Sequence, residues 1–311
     1  MKLLDKVLTQ CSAEAAPVVD RLRMRSRDRE FASVSIQEVA EYYYLHERES
    51  WAFEHYPYSI PPWPYCFIEW QQVAQYIEQL GLSDVLKDLQ MGCFVETASY
   101  QQIHELLSGT KTIDPNINAD ARRLLKLGEA GRYFVAVPAL SYSGQTGIPR
   151  MSILAATDES GLMHEFICAT SFEASDDTAV SEAQNLGSTC VNMLGLAFTF
   201  ANCKNVKCVD RTEEYQPKAK IRRRLNLPEV RRYTLSLGGP ARIKTSGDAA
   251  NPGEVGVKPL HLCRAHFSTY TADKPLFGRH VGKFWIPAHM RGKKENGIVE
   301  KDYAIKVTGD A

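Results

Sequence analysis

The fold is decided by residues 133–169, which read YFVAVPAL (133–140), SYSGQTGIP (141–149), RMSILAAT (150–157), DESG (158–161) and LMHEFICA (162–169). The first, third and fifth segments are short apolar runs of the kind that form strands. The two segments between them are rich in turn-forming residues, and the second has the composition of a hairpin connection. We therefore expect three consecutive strands to form an antiparallel meander with one buried face.

A long helix is predicted directly after the meander, over residues 178–201, because apolar residues recur there at helical spacing. Two more helices are predicted near the start of the chain, over residues 2–29 and from Ser35 onward. The second is indicated by Ser35 and Glu38, which have the spacing of a capping box. We expect the long helix to pack against the sheet as a core helix.

The whole chain is predicted to be α+β, with a helical N-terminal part, a central antiparallel sheet with a packed core helix, and a C-terminal basic β-hairpin. The expected divisions are a helical and aromatic part over 1–90, an α+β core over 91–215 and a basic module over 216–311. In the first part, the run Tyr65–Trp70 follows a proline-rich segment and fits either a strand or the start of a helix.

The composition excludes several classes of protein. With 311 residues, of which 44% are hydrophobic and 24% charged, the chain can bury a sizeable core and is not expected to be disordered. No apolar stretch approaches the ~20 residues needed to cross a bilayer, so we expect a cytoplasmic protein with no membrane partner. The eight cysteines are dispersed, which is typical of packed, reduced thiols and not of a disulfide framework.

No cofactor motif is found in the sequence. It has no glycine-rich phosphate loop, no H-E-x-x-H and no G-x-S-x-G, so no cofactor is expected and a metabolic enzyme is the least favoured interpretation. A zinc site is an alternative, but the spacing of its candidate ligands fits no common signature and we predict no metal. Those candidates are Cys203, Cys208, His261, Cys263 and His266.

Charge is separated along the chain, although the formal net charge is zero. From Pro217 to Ala311 there are 19 Lys and Arg against 8 Asp and Glu, so this third carries about +11 and the remainder about −11. A segment this basic favours a polyanionic partner. The alternative is that the two parts neutralise each other across an internal interface.

The basic third contains a predicted β-hairpin. Its first strand is HLCRAHFSTY (261–270), and its second lies in GKFWIPAHMRG (282–292), with a long loop between them. Because side chains alternate between the faces of a strand, each strand should collect its polar residues on one face. If the apolar faces pair inward, a single surface carries Arg264, His266, Ser268, Tyr270, Lys283, Trp285, His289 and Arg291.

This expected surface has the chemistry of an RNA site. The cationic groups of Arg264, Lys283 and Arg291 suit phosphate, and the rings of Tyr270 and Trp285 suit unstacked bases. A further basic run on the N-terminal side is expected to serve as an auxiliary phosphate clamp. It consists of Arg222, Arg223 and Arg224.

The two histidines of the surface leave catalysis open as well as binding. His266 and His289 could act as base and acid on an RNA 2′-hydroxyl and leaving oxygen, with no metal involved. Arg264 or Lys283 would then stabilise the crowded phosphate. The alternative is an ordinary solvated strand face, so whether the chain is an enzyme stays open.

The same stretch resembles a known family. Arg264-Ala265-His266-Phe267, Trp285-Ile286-Pro287 and Met290-Arg291-Gly292 follow the pattern R-x-H-W or R-x-H-F, W-x-P and x-x-G. This pattern is similar to the C-terminal module of the type V-A anti-CRISPR proteins that lower their target nuclease's messenger, and of their phage, plasmid and chromosomal relatives. The resemblance is best over Val180 to Gly292.

The resemblance implies a phage or mobile-element accessory protein in the cytoplasm of a bacterial host, acting on messenger or ribosome-associated RNA and down-regulating host or defence genes. The sequence departs from the family pattern, since Cys263-Arg264 replaces tandem arginines and Ala265 stands where glycine is common. The loop containing Pro275 to Gly278 is also longer. These departures leave the catalytic residue and the target unassigned.

A different class of function is also open, a non-catalytic inhibitor or adaptor that binds a host or defence protein. Its acidic N-terminal portion and the aromatic segment from Tyr56 to Trp70 would form the docking surface. Packing of those aromatic residues in the core is the alternative explanation.

Overall fold

The computed structural model describes residues 2–44, 58–71, 88–109, 121–149, 151–170, 177–237, 259–263, 266–286, 289–291 and 293–298. The chain is an α+β protein, as predicted. It divides into two compact units. The larger unit comprises residues 1–202 and 206–237, and the smaller unit comprises residues 203–205 and 238–311.

A mixed sheet of nine strands frames the larger unit. The strands are β1 (Phe31–Ser35), β2 (Tyr65–Gln71), β3 (Gln90–Ala98), β4 (Arg132–Tyr142), β5 (Gln145–Gly147), β6 (Met151–Thr157), β7 (Met163–Thr170), β8 (Lys207–Asp210) and β9 (Arg231–Ser236). Their spatial order is β7-β6-β4-β3-β2-β1-β9-β8, with β5 paired to β4. Strand β1 is parallel to both of its neighbours, β2 and β9, and the other pairs are antiparallel.

The predicted meander is confirmed by strands β4, β6 and β7, which pair in sequence order and antiparallel. Buried side chains such as Phe134 and Ile153 fill its inner side. The run Tyr65–Trp70 lies within β2, so the strand alternative is the correct one. This central part was predictable because consecutive strands with short connections pair locally.

The helices of the larger unit flank this sheet. In the described part of the chain they are α1 (Leu3–Gln10), α2 (Ala16–Arg25), α3 (Gln37–Tyr42), α4 (Tyr100–Gly109), α5 (Asp177–Ala201), α6 (Thr212–Tyr215) and α7 (Ala219–Leu225). Helix α5 is the predicted core helix, and its ring of Phe198 packs edge-on against Phe134 with centroids 5.6 Å apart. Among the described residues, no helix has both the length and the apolar character needed to span a membrane.

Two N-terminal predictions are wrong in detail. The continuous helix expected over 2–29 is interrupted after α1, because Cys11 and Ser12 are extended before α2 begins. Ser35 is the last residue of β1, and α3 follows Ile36 with no side-chain cap. The capping-box spacing gave a wrong helix start at Ser35. Phe31 and Val34 are buried in β1, which lies between the parallel strands β2 and β9, and this burial holds the segment as a strand.

The sheet crosses the boundaries expected at residues 90 and 215. Strands β1 and β2 come from the first predicted part, β3 to β8 from the second, and β9 from the third. Since β9 is hydrogen-bonded to β1, residues from all three parts share one sheet.

The described residues of the smaller unit form five strands. They are β10 (Pro259–Cys263), β11 (His266–Tyr270), β12 (Gly282–Ile286), β13 (His289–Arg291) and β14 (Lys293–Ile298). Strand β11 pairs antiparallel with β12, and β10 pairs antiparallel with β13 and parallel with β14. The predicted C-terminal hairpin is therefore present.

Candidate nucleic-acid interface

The strands of the hairpin pair in two described ladders, which belong to separate sheets. In the β11–β12 ladder, His266 is opposite Ile286 and Phe267 is opposite Trp285. In the β10–β13 ladder, Cys263 is opposite His289, three residues further along each strand from the His266–Ile286 pair. His266 and His289 therefore lie in two different ladders of the described residues.

The predicted single polar surface is wrong, because this register divides its residues. Directly opposite residues of an antiparallel ladder project to the same face. Tyr270 is opposite Gly282 and Ser268 is opposite Phe284, so His266 and Tyr270 share a face with Phe284. Lys283 is opposite Thr269, and with Trp285 it lies on the other face. A shift of one residue in the expected pairing is enough to exchange the two faces.

Trp285 has a packing role. It is 3% exposed, and its ring lies against Phe267 with centroids 4.7 Å apart. The side chain of Asn205 holds the backbone of Trp285 with two hydrogen bonds. The Trp285 backbone N–H donates to Asn205 Oδ1 at 2.8 Å, and Asn205 Nδ2 donates to the Trp285 carbonyl at 2.6 Å. The expectation that Trp285 offers a plane for an RNA base is therefore incorrect.

The opposite face of the β11–β12 ladder carries accessible rings. We call His266, Ser268, Tyr270 and Phe284 the aromatic face. His266 is exposed, whereas Tyr270 and Phe284 are half-buried. Tyr270 meets Phe284 edge-on at 5.8 Å between centroids, and the ring of His280 approaches Phe284 at 6.3 Å. Two aromatic rings and two imidazoles thus lie along this face of the hairpin.

The connection between β11 and β12, residues 271–281, adds an exposed aromatic residue. Leu276 and His280 exchange backbone hydrogen bonds of 2.8 and 3.0 Å, which closes a turn with Phe277 at its tip. Phe277 is 86% exposed and has a φ of 51°, in the left-handed region that a bulky residue rarely adopts. This backbone conformation costs free energy, and residues held in such conformations cluster at functional sites, so Phe277 is worth testing for function.

Two cations lie in the same connection. Lys274 and Arg279 are exposed, and among the described residues no carboxylate comes within ion-pair distance of either. Sequence reasoning missed these two residues, together with Phe277, His280 and Phe284. The length of the loop and its Pro275–Gly278 turn indicated an ordered turn, but they did not indicate which of its side chains would be exposed.

The auxiliary clamp belongs to the larger unit, on helix α7. Arg222 is half-buried and its Nη1 lies 3.5 Å from Glu229 Oε1, so part of its charge is compensated. Arg223 and Arg224 are exposed, as are Lys218 and Lys220. The helix therefore presents a compact cationic surface, although one of the three predicted arginines is ion-paired.

The remaining predicted residues are placed only in part. Arg291 is exposed and is opposite His261 in the β10–β13 ladder. Arg264 lies outside the described residues, and for His289 the structure describes the backbone pairing with Cys263. The expected base and acid therefore stay a prediction from the sequence.

The candidate zinc ligands do not form a described metal centre. Within the described ranges, no group of three or more His, Cys, Asp or Glu side chains is arranged to hold a metal ion. Burial raises the pKa of the Cys203 thiol to about 12, even though Lys283 favours the thiolate.

Comparisons with protein-family models, with curated proteins and with solved structures find no match to this chain. The resemblance to the anti-CRISPR proteins therefore stays a prediction from the hairpin residues. The candidate interface is defined by its own geometry: the aromatic face, the tip residue Phe277 and the cations Lys274 and Arg279.

Proposed function

We propose that the smaller unit binds single-stranded RNA, with the aromatic face and the 271–281 connection as its binding surface. The observation that carries the proposal is the 86% exposure of Phe277 at the tip of a hairpin whose accessible face holds Tyr270 and Phe284. Exposed rings on strands and loops are the means by which proteins stack on unpaired bases.

The charge of the unit supports a polyanionic partner. Residues 203–205 and 238–311 contain 13 Lys and Arg against 7 Asp and Glu, a net charge of +6. Lys274 and Arg279 lie on the same connection as Phe277, so a backbone phosphate can be bound while a neighbouring base stacks. Helix α7 carries a separate cationic surface in the larger unit.

The biological setting that we propose follows the family resemblance. The RNA would be a messenger or a ribosome-associated RNA, and its binding would down-regulate host or defence genes in a bacterial cytoplasm. Cleavage by His266 and His289 is a separate proposal. It is tested by incubating the RNA with the His266→Ala and His289→Ala variants at protein concentrations that saturate binding, where both variants should yield no product. Unchanged cutting would remove these histidines from the mechanism.

The alternative of a protein-binding adaptor has less support from the geometry. In the aromatic segment proposed for docking, Phe67 and Trp70 are 1% and 3% exposed within β2. Trp63 stacks on Tyr233 of β9 with centroids 6.2 Å apart. These rings hold the sheet together, which leaves a smaller surface for a partner.

The test is a fluorescence-anisotropy titration of the full chain with a labelled single-stranded RNA at several salt concentrations. Phe277→Ala should weaken binding by about 5-fold to 100-fold, the range for removal of one stacking ring. The matched control is Tyr142→Ala, which removes an aromatic side chain that is 44% exposed on β4 of the larger unit.

The cations are tested in the same titration. The double variant with Lys274→Ala and Arg279→Ala should lower the slope of log affinity against log salt by about 0.7 for each phosphate that is no longer neutralised. An affinity independent of salt, or one that Phe277→Ala and Tyr142→Ala reduce equally, would contradict the proposal.

A further inference from the structure

The larger unit contains a cavity at the carboxyl ends of its three parallel strands. Its walls include Ser35 at the end of β1, Glu69 and Trp70 near the end of β2, and Thr234 of β9. Its volume is about 300 Å³. The crevice beyond the carboxyl ends of parallel strands is where open sheets bind ligands, and this volume suits a small molecule.

A cation already lies at this cavity. The ammonium of Lys2 is 3.8 Å from the centroid of the Tyr215 ring and 3.9 Å from Glu69 Oε1. Both side chains line the cavity with Lys2. An aromatic face beside a buried carboxylate is the arrangement that recognises ammonium and guanidinium groups.

The carboxylate is built into the fold. Glu69 is 6% exposed, and its Oε2 accepts a hydrogen bond of 3.4 Å from the Leu4 backbone N–H. Lys2, in contrast, has a side chain that is 29% exposed, and its ion pair with Glu69 is at the long end of the range. The acceptor is therefore fixed, whereas the lysine that fills it is held weakly and can be displaced.

We propose that this cavity binds a small organic cation, a molecule with an ammonium or guanidinium group. The cationic group takes the place of the Lys2 ammonium between Tyr215 and Glu69. Lys2 is then an internal competitor, and its displacement accompanies binding.

The proposal is tested by calorimetric titration of the full chain with N-acetyl-arginine amide, and with N-acetyl-citrulline amide as a neutral ligand of the same shape. The arginine compound should bind and the citrulline compound should bind about tenfold more weakly or not at all, because citrulline cannot form the charge-assisted hydrogen bond to Glu69. Equal binding of the two compounds, or no saturable binding of either, would overturn the proposal.

The variant Lys2→Ala gives the sharper result. Removal of the internal competitor should strengthen binding of the arginine compound by about tenfold, since an intramolecular group competes at millimolar effective concentration. Lys126→Ala, which removes an exposed lysine outside the cavity walls, should leave the affinity unchanged. Unchanged or weaker binding by Lys2→Ala would show that Lys2 does not occupy the ligand position.

The role of Glu69 is tested in the Lys2→Ala background with Glu69→Gln, which keeps the shape and removes the charge. The affinity for the arginine compound should fall back to the wild-type value or below it. The affinity of the Lys2→Ala protein should also rise with pH, because Glu69 must lose its proton to bind the cation. Asp5 and Arg232 are the other ionisable groups that act on this carboxyl. A pH-independent affinity would count against the site.

Discussion

The basic C-terminal third holds cations in two opposite environments. On β9 of the larger unit, Arg232 is 2% exposed and bonds Asp5 at 2.5 Å. In the smaller unit, Lys274 and Arg279 are exposed on a hairpin connection. The basic C-terminal third is thus partly neutralised inside the protein and partly available, so a charge count alone overstates the surface that a polyanion can use.

The largest expected effect on stability is at the buried ion pair of Arg232 and Asp5. Arg232→Ala should lower the free energy of unfolding by about 3–5 kcal/mol, because it leaves the Asp5 carboxyl buried without its partner. Chemical denaturation of the full chain measures this. The double variant Arg232→Met with Asp5→Leu is the control and should recover most of the stability. A decrease below about 1 kcal/mol in Arg232→Ala would mean that the pair is not structural.

Next in size is the effect of Trp285 in the smaller unit. Trp285→Ala should cost about 3 kcal/mol or more of unfolding free energy, because it empties the space against Phe267. Trp285→Phe should keep most of the stability and the RNA affinity. If Trp285→Phe instead weakens RNA binding without a decrease in stability, the two faces of the hairpin have been assigned the wrong way round.

A smaller effect is expected from the protonation of buried carboxyls in the larger unit. Burial raises the pKa of Glu69 above its ordinary value of 4.5 and that of Asp5 above 3.8, although Arg232 and Lys2 favour the charged forms. The folded protein then binds these protons more tightly than the unfolded chain does. Their contribution to stability is complete below the ordinary values and is lost as the pH rises through the raised ones.

Glu69→Gln tests this pH dependence, because a glutamine carries no titrating proton. Denaturation at a series of pH values above 4.5 should show a shallower decline in unfolding free energy than in the wild type. Glu229→Gln, at an exposed residue on the other side of the Arg222 ion pair, is the control and should leave the slope unchanged. The same slope in Glu69→Gln and wild type would contradict the assignment.

The smallest effect is expected at the exposed basic helix. Arg223→Ala should change the free energy of unfolding by less than about 0.5 kcal/mol, because the side chain is exposed on α7. If α7 binds RNA, the same variant should weaken RNA binding in the anisotropy titration. An unchanged affinity would remove α7 from the proposal.

The parts of the fold that were predictable depend on local pattern. The meander and α5 were found because strand runs with short connections, and apolar residues at helical spacing, are recognisable within a few residues. Strand β1 was missed because its partners, β2 and β9, lie far away in the sequence. Its five residues carry no alternation, as both neighbours bury them.

The candidate site shows the same limit at finer scale. Alternation within each strand was correct, so Tyr270 shares a face with His266 and Lys283 shares one with Trp285. The relation between the strands could not be derived, because polarity alone does not fix which residue is opposite which. The packing role of Trp285 could not be predicted from the sequence. Its partner Phe267 is identified only by the strand pairing, and its partner Asn205 lies 80 residues earlier in the chain.

The parallel pairing of β1 with β9 has a consequence for synthesis on the ribosome. Residues 31–35 emerge about 200 residues before their partner at 231–236, so the middle of the sheet stays an open edge through most of translation. An open edge with buried side chains such as Phe31 and Val34 is a template for wrong strand pairing. We therefore expect truncated chains that end before residue 231 to aggregate, and the nascent chain to be a client of chaperones until β9 is released.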